Sequence, residues 1–405
     1  MNDNNEQKWK RIPIALLVTV SVVLASLSCS SELPKTIWHP TGSHKEKKLN
    51  SKLLHQQPNL WVKLSNGNDS GWHRQEHAGA AYDSKRGVIL IFGSDTHGID
   101  WDNEIHEFDP VTEKWTTHYR RAGKETYRAD QAGNAVAGTH KILPWAMHTF
   151  NNVIYDPERD AIVVTSEPQH NPMFGKVPNV TRHPTWVYDL AAHEWRIFEN
   201  KGKVSPNFFA AASVYDPDRD VIVAYKNSGV WEIGPERDEW IKVTNESHHE
   251  IHFTMAYDAR RKKIAAFGDY FFSNDVWVYT PGSKTGDKGV WEKKIPAGDE
   301  CPKGRHFPVA FDTDNGVFLL VPGYWHHDKD TAGNIKIVST KNSTFVYDLE
   351  TNRYAKLPKG DMEPLGMNYT MVYDTYHHVF LLVTGDSGGP PTVWALKLEM
   401  KTLHD

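Results

Sequence analysis

Short apolar runs recur along the chain in a repeating arrangement. Each copy opens with a run that ends in an aromatic residue followed by aspartate, and a polar or charged turn comes next, as is typical of a tight hairpin. The repeat predicts a first strand and a hairpin turn in each of six copies. The aromatic and aspartate pairs are Tyr82-Asp83, Tyr155-Asp156, Tyr215-Asp216, Tyr257-Asp258, Phe311-Asp312 and Tyr373-Asp374.

Three further strands follow the turn in a full copy. The second strand is almost wholly apolar, as expected of a strand that is buried on both faces. The third carries a central aromatic residue, and the fourth begins with Trp115, Trp195, Trp240, Trp291 or Tyr354. Four antiparallel strands in each of six units predict an all-β fold, a six-bladed β-propeller. The second strands lie at 88–92, 161–165, 221–225, 264–267, 317–321 and 379–384.

The sixth copy lacks a fourth strand after its third strand at 393–396. Residues 60–64 match the start of the fourth strands at Trp240 and Trp291. We expect this N-terminal strand to complete the last blade and close the ring, because closure removes exposed strand edges. The propeller is predicted to occupy residues 59–400.

In these repeats the chain resembles kelch-repeat propellers and the central domain of galactose-oxidase-like proteins. The third strand at 276–279 and the following Trp291 match the kelch pattern. In galactose oxidases, two tyrosines, two histidines and a tyrosine-cysteine crosslink surround copper. The resemblance therefore leaves open a metal-dependent oxidase or hydrolase with a bound divalent ion. Cys301 is the one thiol of the predicted propeller, and the sequence identifies no partner tyrosine. The kelch double glycine is reduced to Gly93, Gly268, Gly323 and Gly385.

The N-terminal segment has the pattern of an export signal. Three basic residues precede an uncharged run at 12–28, and a small-Leu-small step stands before Cys29. The segment resembles a bacterial lipoprotein signal, with Ser26 where leucine is usual, so lipidation, secretion and an uncleaved anchor all remain open. We predict a signal peptide at 1–28 and a tether at 29–58. The expected location is the periplasm or the cell surface, with membrane contact only through this anchor.

Composition narrows the choice of partner. Of the 405 residues, 39% are apolar and 12% aromatic, which excludes a disordered or collagen-like chain. The formal net charge is -5, so no strongly basic surface is expected and no nucleic acid is predicted as a partner. We expect a monomer that binds a glycan or another extracytoplasmic ligand.

Histidines gather in the long loops on one side of the predicted disk. His77, His252, His306 and Asn368 share one position, five residues before the aromatic of their pair, and His148 lies seven residues before its own. The first strand of each propeller blade lines the central channel, so these side chains are predicted to converge at its mouth.

A mouth that contains histidine, arginine and tyrosine suits β-elimination on a polymer of uronic acids. That reaction needs a cation to neutralise the carboxylate, a base for the neighbouring C–H proton, and an acid for the leaving oxygen. We predict His148 or His77 as the base, Tyr127 as the acid, and Arg305 or Arg128 as the cation.

Substrate contacts are predicted from the remaining polar and aromatic residues of the same face. His252, His306, Asn368 and Arg74 are expected to contact the sugar. The layout is similar to that of ulvan lyases. One alternative is a non-catalytic propeller that binds a glycan or a protein on the cell envelope, and the other is the metal-dependent enzyme. The long loops supply the predicted exposed platforms for sugar stacking, Trp72, Trp101, Trp145 and Trp325.

Overall fold

The computed structural model describes residues 48–68, 70–73, 77–96, 100–269, 275–301, 304, 307–323, 331, 342–362, 365, 369–385 and 389–401, and the backbone of 326–329, 335–338 and 402–403. The predicted signal peptide, Cys29 and the first part of the tether lie outside these residues. So do five predicted site residues, Arg74, Arg305, His306, Trp325 and Asn368. Within the described residues, no helix combines the length and the apolar composition needed to cross a membrane.

The regular secondary structure of the described chain consists almost entirely of short strands. A short strand β1 (Val62–Ser65) comes first. Blade 1 consists of β2 (Gly79–Asp83), β3 (Val88–Phe92), β4 (His106–Asp109) and β5 (Lys114–Thr117), and the short strands β6 (Arg128–Ala129) and β7 (Ala135–Val136) follow it. Blade 2 consists of β8 (Val153–Asp156), β9 (Ala161–Val164), β10 (Trp186–Asp189) and β11 (Glu194–Ile197).

The next two blades have no additional strands in the part of the chain that the structure describes. Blade 3 consists of β12 (Ala212–Asp216), β13 (Val221–Lys226), β14 (Gly229–Ile233) and β15 (Trp240–Thr244), and blade 4 of β16 (Thr254–Asp258), β17 (Lys263–Phe267), β18 (Val276–Thr280) and β19 (Val290–Lys294).

The last two blades contain the additional short strands. After β20 (Ala297–Gly298), blade 5 is β21 (Val309–Asp312), β22 (Val317–Leu320), β25 (Phe345–Asp348) and β26 (Arg353–Lys356), with β23 (His326–Lys329) and β24 (Ile335–Val338) as a hairpin between its second and third strands. Blade 6 is β27 (Thr370–Asp374), β28 (Val379–Thr384) and β29 (Thr392–Leu396), and β1 pairs antiparallel with β29. Three 3-10 helices cover Lys124–Thr126, Asn200–Gly202 and Met400–Leu403.

The six blades form a ring. The first strand of each blade contacts the first strands of the two neighbouring blades, in the closed series β2, β8, β12, β16, β21, β27 and back to β2. The all-β, six-bladed propeller predicted from the repeat is therefore confirmed. The second strands are fully buried in four blades, and in β13 and β17 every residue but one terminal lysine is buried, as their continuous apolar runs predict.

The aspartate of each pair explains why the repeat folds as a hairpin. Asp83 is fully buried, and its Oδ1 accepts the backbone N–H groups of Lys85 and Arg86. The Arg86 guanidinium donates to the other carboxylate oxygen at 2.6 Å and also pairs with Asp160 of blade 2. The Asp83 carboxylate therefore accepts the backbone N–H groups of its turn and, through Arg86, links blade 1 to blade 2. The other five aspartates are also buried, at Asp156, Asp216, Asp258, Asp312 and Asp374.

The end of the predicted tether is packed against the propeller. A one-turn helix α1 (Ser51–Leu54) carries Leu53, which is 1% exposed. The Asn50 amide N–H donates to His377 Nε2 at 3.0 Å, and the Asn50 side chain donates to the carbonyl of Pro110. These contacts fix residues 50–54, near the end of the segment predicted as a tether over 29–58, to blades 1 and 6.

Candidate functional site

The residue that leads into the first strand has a left-handed backbone in four blades. The φ angle is 67° at His77, 47° at Phe150, 54° at Ala210 and 65° at His252. Such dihedrals cost about 1–2 kcal/mol for a residue other than glycine. Because the same turn recurs at the same point of the repeat, it places the side chains of these residues at matching positions around the channel.

The predicted histidines of three blades meet around one phenylalanine. The ring centroids of His77 and His148 lie 4.1 Å apart. The Phe150 ring is 5.2 Å from His77 and, on the blade 4 side, 5.2 Å from His252. His77, His148 and His252 thus converge as the repeat predicts.

Two further rings extend this group toward solvent. His170 lies 5.0 Å from His148, and Phe209 lies 5.0 Å from His170 and 5.6 Å from Phe150. His170 is exposed, and Phe209 and Phe150 are half-buried. We call His77, His148, Phe150, His170, Phe209 and His252 the mouth cluster. The repeat did not select the two added residues, although Phe209 directly precedes the left-handed position of blade 3.

A cavity continues from the mouth cluster between the first strands. It encloses about 480 Å³ of space that is partly open to solvent. Its wall combines apolar and aromatic side chains with polar groups, so the channel offers a ligand hydrogen-bonding groups as well as surface for stacking. The residues that line it include Ala78, Phe150, Asn151, Phe253, Phe307 and Tyr369.

The buried side of the mouth cluster holds an acidic residue that the sequence did not indicate. Asp95 follows β3, and its Oδ1 lies 3.8 Å from Nε2 of His148. The amide N–H of Thr96 points at the same Nε2, at an N···N distance of 3.4 Å. Asp95, His148 and His77 are 4%, 2% and 6% exposed. An acid, two imidazoles and an amide therefore share one buried space.

Thr149 fixes the position of the two imidazoles. Its backbone N–H donates to the carbonyl of His77 at 2.9 Å. Its hydroxyl donates to the carbonyl of Phe92 at 2.6 Å and accepts the N–H of Gly79 at 2.7 Å. These bonds join the residue after His148 to β2 and β3 of blade 1, so the blade interface itself sets the geometry of the His77 and His148 rings.

Tyr127 does not lie in the mouth cluster. Its hydroxyl accepts the N–H of Ala146 at 3.0 Å, and its ring packs edge-on against Trp101. Burial raises the pKa of this phenol to about 12. The prediction that Tyr127 acts as the acid is therefore not supported, because its hydroxyl is engaged inside the folded 119–147 loop.

Arg128 is also engaged elsewhere. Its side chain is exposed, and its guanidinium donates to the backbone carbonyls of Thr126 and Gly138. These bonds hold the cation on the outer surface of the same loop. Of the two arginines predicted to neutralise a carboxylate, Arg128 is thus not placed for that role, and Arg305 lies outside the described residues.

Three of the four tryptophans predicted as exposed platforms are buried, and the fourth, Trp325, lies outside the described residues. Trp72 is 5% exposed and stacks on His106 with ring centroids 4.0 Å apart. Trp101 is 8% exposed and lies below the Lys124 ammonium. Trp145 is 1% exposed and donates from Nε1 to the carbonyl of Val136. These tryptophans are buried because the long loops fold back over the blades and bury their largest apolar side chains.

Cys301 has the tyrosine neighbour that the sequence did not identify. Its thiol is hydrogen-bonded to the Tyr354 hydroxyl, and burial raises the pKa of the thiol. Tyr354 belongs to β26, the outer strand of blade 5, so this pair lies away from the mouth cluster. Its position gives no support to a copper-radical centre at the channel.

No protein-family model matches the chain, and no curated protein sequence is significantly similar to it.

Proposed function

We propose that this protein binds uronate-containing glycans at the mouth of its propeller channel and cleaves them by β-elimination. The observation that carries the proposal is the convergence of His77, His148 and His252, from three blades, on the ring of Phe150. Imidazoles ionise near neutral pH, so neighbouring imidazoles can divide proton acceptance and proton donation between them.

The reaction requires two proton transfers. A base removes the proton on the carbon next to the uronate carboxylate, a carbon–carbon double bond forms, and the bond to the leaving glycosidic oxygen breaks. The leaving oxygen then takes up a proton. We assign these transfers to His252 and His170, because they lie on the solvent side of the mouth cluster. His148 and His77, predicted as bases from the sequence, are too deeply buried to reach a polymer directly.

Aromatic surface supports glycan binding at the same place. The half-buried rings of Phe150 and Phe209 have centroids 5.6 Å apart and meet edge to face, with an angle of 80° between their planes. Sugar rings carry apolar faces that pack on such aromatic surface. In this proposal these phenylalanines take the stacking role that was predicted for the tryptophans. The kelch-like architecture, and export to the periplasm or cell surface through an anchor at Cys29, would present the mouth to extracellular polymers.

A non-catalytic role is the second candidate function. The hydrogen bonds that hold Tyr127 and Arg128 away from the mouth cluster favour it, because they remove two of the groups that elimination was predicted to use. In that case the mouth would bind a glycan or a protein without converting it.

Turnover and binding measured together separate the two functions. The full chain is incubated with polygalacturonate, alginate and ulvan while ultraviolet absorbance follows the unsaturated uronate product, and affinity is measured by calorimetry. The lyase predicts rising absorbance with at least one polymer. Binding without any absorbance change supports the non-catalytic function, and the absence of both refutes the proposal. The matched variants are His252→Ala, which should abolish turnover, and His140→Ala on the exposed part of the 119–147 loop, which should retain it.

A further inference from the structure

Two clusters of potential metal ligands lie among the described residues. The first is Asp102, Glu104 and His106, and the second is His77, Asp95 and His148. The first already contains a cation, because the Arg121 guanidinium lies 3.1 Å from Glu104 and 3.8 Å from Asp102. Its imidazole is also engaged, with Nδ1 2.9 Å from the Thr117 hydroxyl. The first cluster is therefore a complete ion-pair network.

The second cluster has a different composition. His77 precedes β2, Asp95 follows β3 and His148 precedes β8, so three separate segments each supply one donor group. One donor atom from each lies within 4.8 Å of the other two, and all three residues are buried. In a tetrahedral zinc site, neighbouring ligand atoms are about 3.4 Å apart. Small side-chain rotations would close the remaining distance.

The orientation of His148 favours a cation in this space. The Thr96 N–H points at Nε2 of His148, so Nε2 presents a lone pair in that arrangement. The Asp95 carboxylate faces the same nitrogen at 3.8 Å. The lone pair that accepts the Thr96 N–H is the one that a metal ion would use, so a bound ion would replace this long contact and would be attracted by the Asp95 carboxylate.

The backbone around the donors is already organised. The N–H groups of Thr149 and Phe150 both donate to the carbonyl of His77, and the N–H of Ser94 donates to the carbonyl of Met147. The Ser166 hydroxyl donates to the carbonyl of His148. Each donor segment is thereby tied to another, which is the kind of support that metal sites require.

We propose that His77, Asp95 and His148 bind one divalent transition-metal ion of the zinc class. Two imidazole nitrogens and one carboxylate oxygen suit zinc, whereas calcium and magnesium prefer oxygen ligands throughout. The ion would lie at the buried side of the mouth cluster. Resting on the proposed function, we assign it a positioning role, in which it fixes the His77 and His148 rings beneath the part of the mouth cluster that contacts the glycan.

Metal binding tests the site without any glycan. The full chain is treated with a chelator, dialysed and titrated with zinc chloride in a calorimeter, with calcium chloride as a parallel titrant. We expect one zinc ion per chain and weaker calcium binding. Asp95→Asn and His148→Ala should each weaken zinc affinity by about tenfold or more. The control Asp238→Asn removes an exposed carboxylate and should retain wild-type affinity.

The outcomes separate this site from the proposed function. Lack of stoichiometric zinc binding by the wild-type protein, or wild-type affinity in both site variants, refutes the metal site even if the protein cleaves glycans. Zinc binding without glycan turnover retains the site and refutes the lyase. If His148→Ala fails to fold, the melting temperature is measured with and without zinc chloride. Zinc should raise the melting temperature of the wild type and not that of the folded Asp95→Asn protein, and no rise in the wild type would count against the site.

Discussion

The imidazole rings of His77 and His148 lie with centroids 4.1 Å apart and planes 34° apart, although the two residues lead into the first strands of consecutive blades. The interface between blades 1 and 2 therefore determines this contact. Any change that loosens the interface should disturb the mouth cluster before it disturbs the rest of the ring.

Thr149→Val tests this dependence. The substitution keeps the shape of the side chain but removes its bonds to the Phe92 carbonyl and the Gly79 N–H, so both backbone groups lose a buried partner. We expect the free energy of unfolding to fall by about 2 kcal/mol. Glycan affinity should fall as well, because the backbone between His148 and Phe150 loses its side-chain hydrogen bonds to blade 1. Thr116→Val, on the exposed side of β5, is the control and should change neither quantity.

A buried ion-pair network within blade 3 should contribute strongly to stability on the face opposite the mouth. Arg219 donates to Asp216 at 2.6 Å and to the fully buried Glu232 at 2.9 Å. Arg219→Met leaves two buried carboxylates without this cation, so the free energy of unfolding should fall by about 3–5 kcal/mol. Lys201→Met removes an exposed lysine paired with Asp238 and should cost less than about 1 kcal/mol. An equal loss in the free energy of unfolding for the two variants, measured by denaturant titration, would contradict a strong contribution from the Arg219 ion pairs.

Stability should decrease as the pH falls below neutral. Burial lowers the pKa of His183 to about 4 in the folded protein. The unfolded chain titrates near pH 6.5, so between about pH 6.5 and about pH 4 the unfolded state binds a proton that the folded state does not. The ring stacks on Phe174, so His183→Phe preserves packing and removes the titration. Denaturant unfolding at about pH 7 and about pH 5 should show a smaller loss for this variant than for the wild type. An equal loss of stability in the wild type and in His183→Phe would be inconsistent with a His183 imidazole that stays neutral in the folded protein.

The aromatic contacts with substrate should map to phenylalanine and not to tryptophan. Trp145 is buried, so Trp145→Ala should lower the free energy of unfolding by about 3–5 kcal/mol. Phe209 is half-buried, so Phe209→Ala should leave stability nearly unchanged and lower glycan affinity roughly tenfold. Calorimetry and thermal melting of both variants provide the comparison. A folded, stable Trp145→Ala protein that has lost glycan affinity would instead support Trp145 as a stacking platform, as the sequence predicts.

The propeller could be predicted because its repeat depends on hydrogen bonds between residues that are close in sequence. An aspartate such as Asp83 must accept the N–H groups of its own turn, so the aromatic and aspartate pairs mark the hairpins directly. Counting from these pairs also located His77 and His252, since both occupy the left-handed position before the first strand.

The rest of the site depends on how long loops fold, which the repeat does not encode. Asp95 and His170 lie in loops between the second and third strands, and only tertiary packing brings them to His148. Tyr127 and Trp145 have the composition of a substrate wall, yet burial of apolar surface draws them into the core beside blade 2. Residue type alone could not distinguish these outcomes.

Hydrogen exchange with and without bound glycan tests the location of the site most directly. Peptides covering residues 77–78, 148–152, 169–171, 207–211 and 252–254 should gain protection at a saturating concentration of a uronate polymer that the protein binds. Peptides covering the hairpin turns after Asp83, Asp156 and Asp216 should not change. Protection confined to those turns, or to the outer strands, would contradict a binding site at the channel mouth.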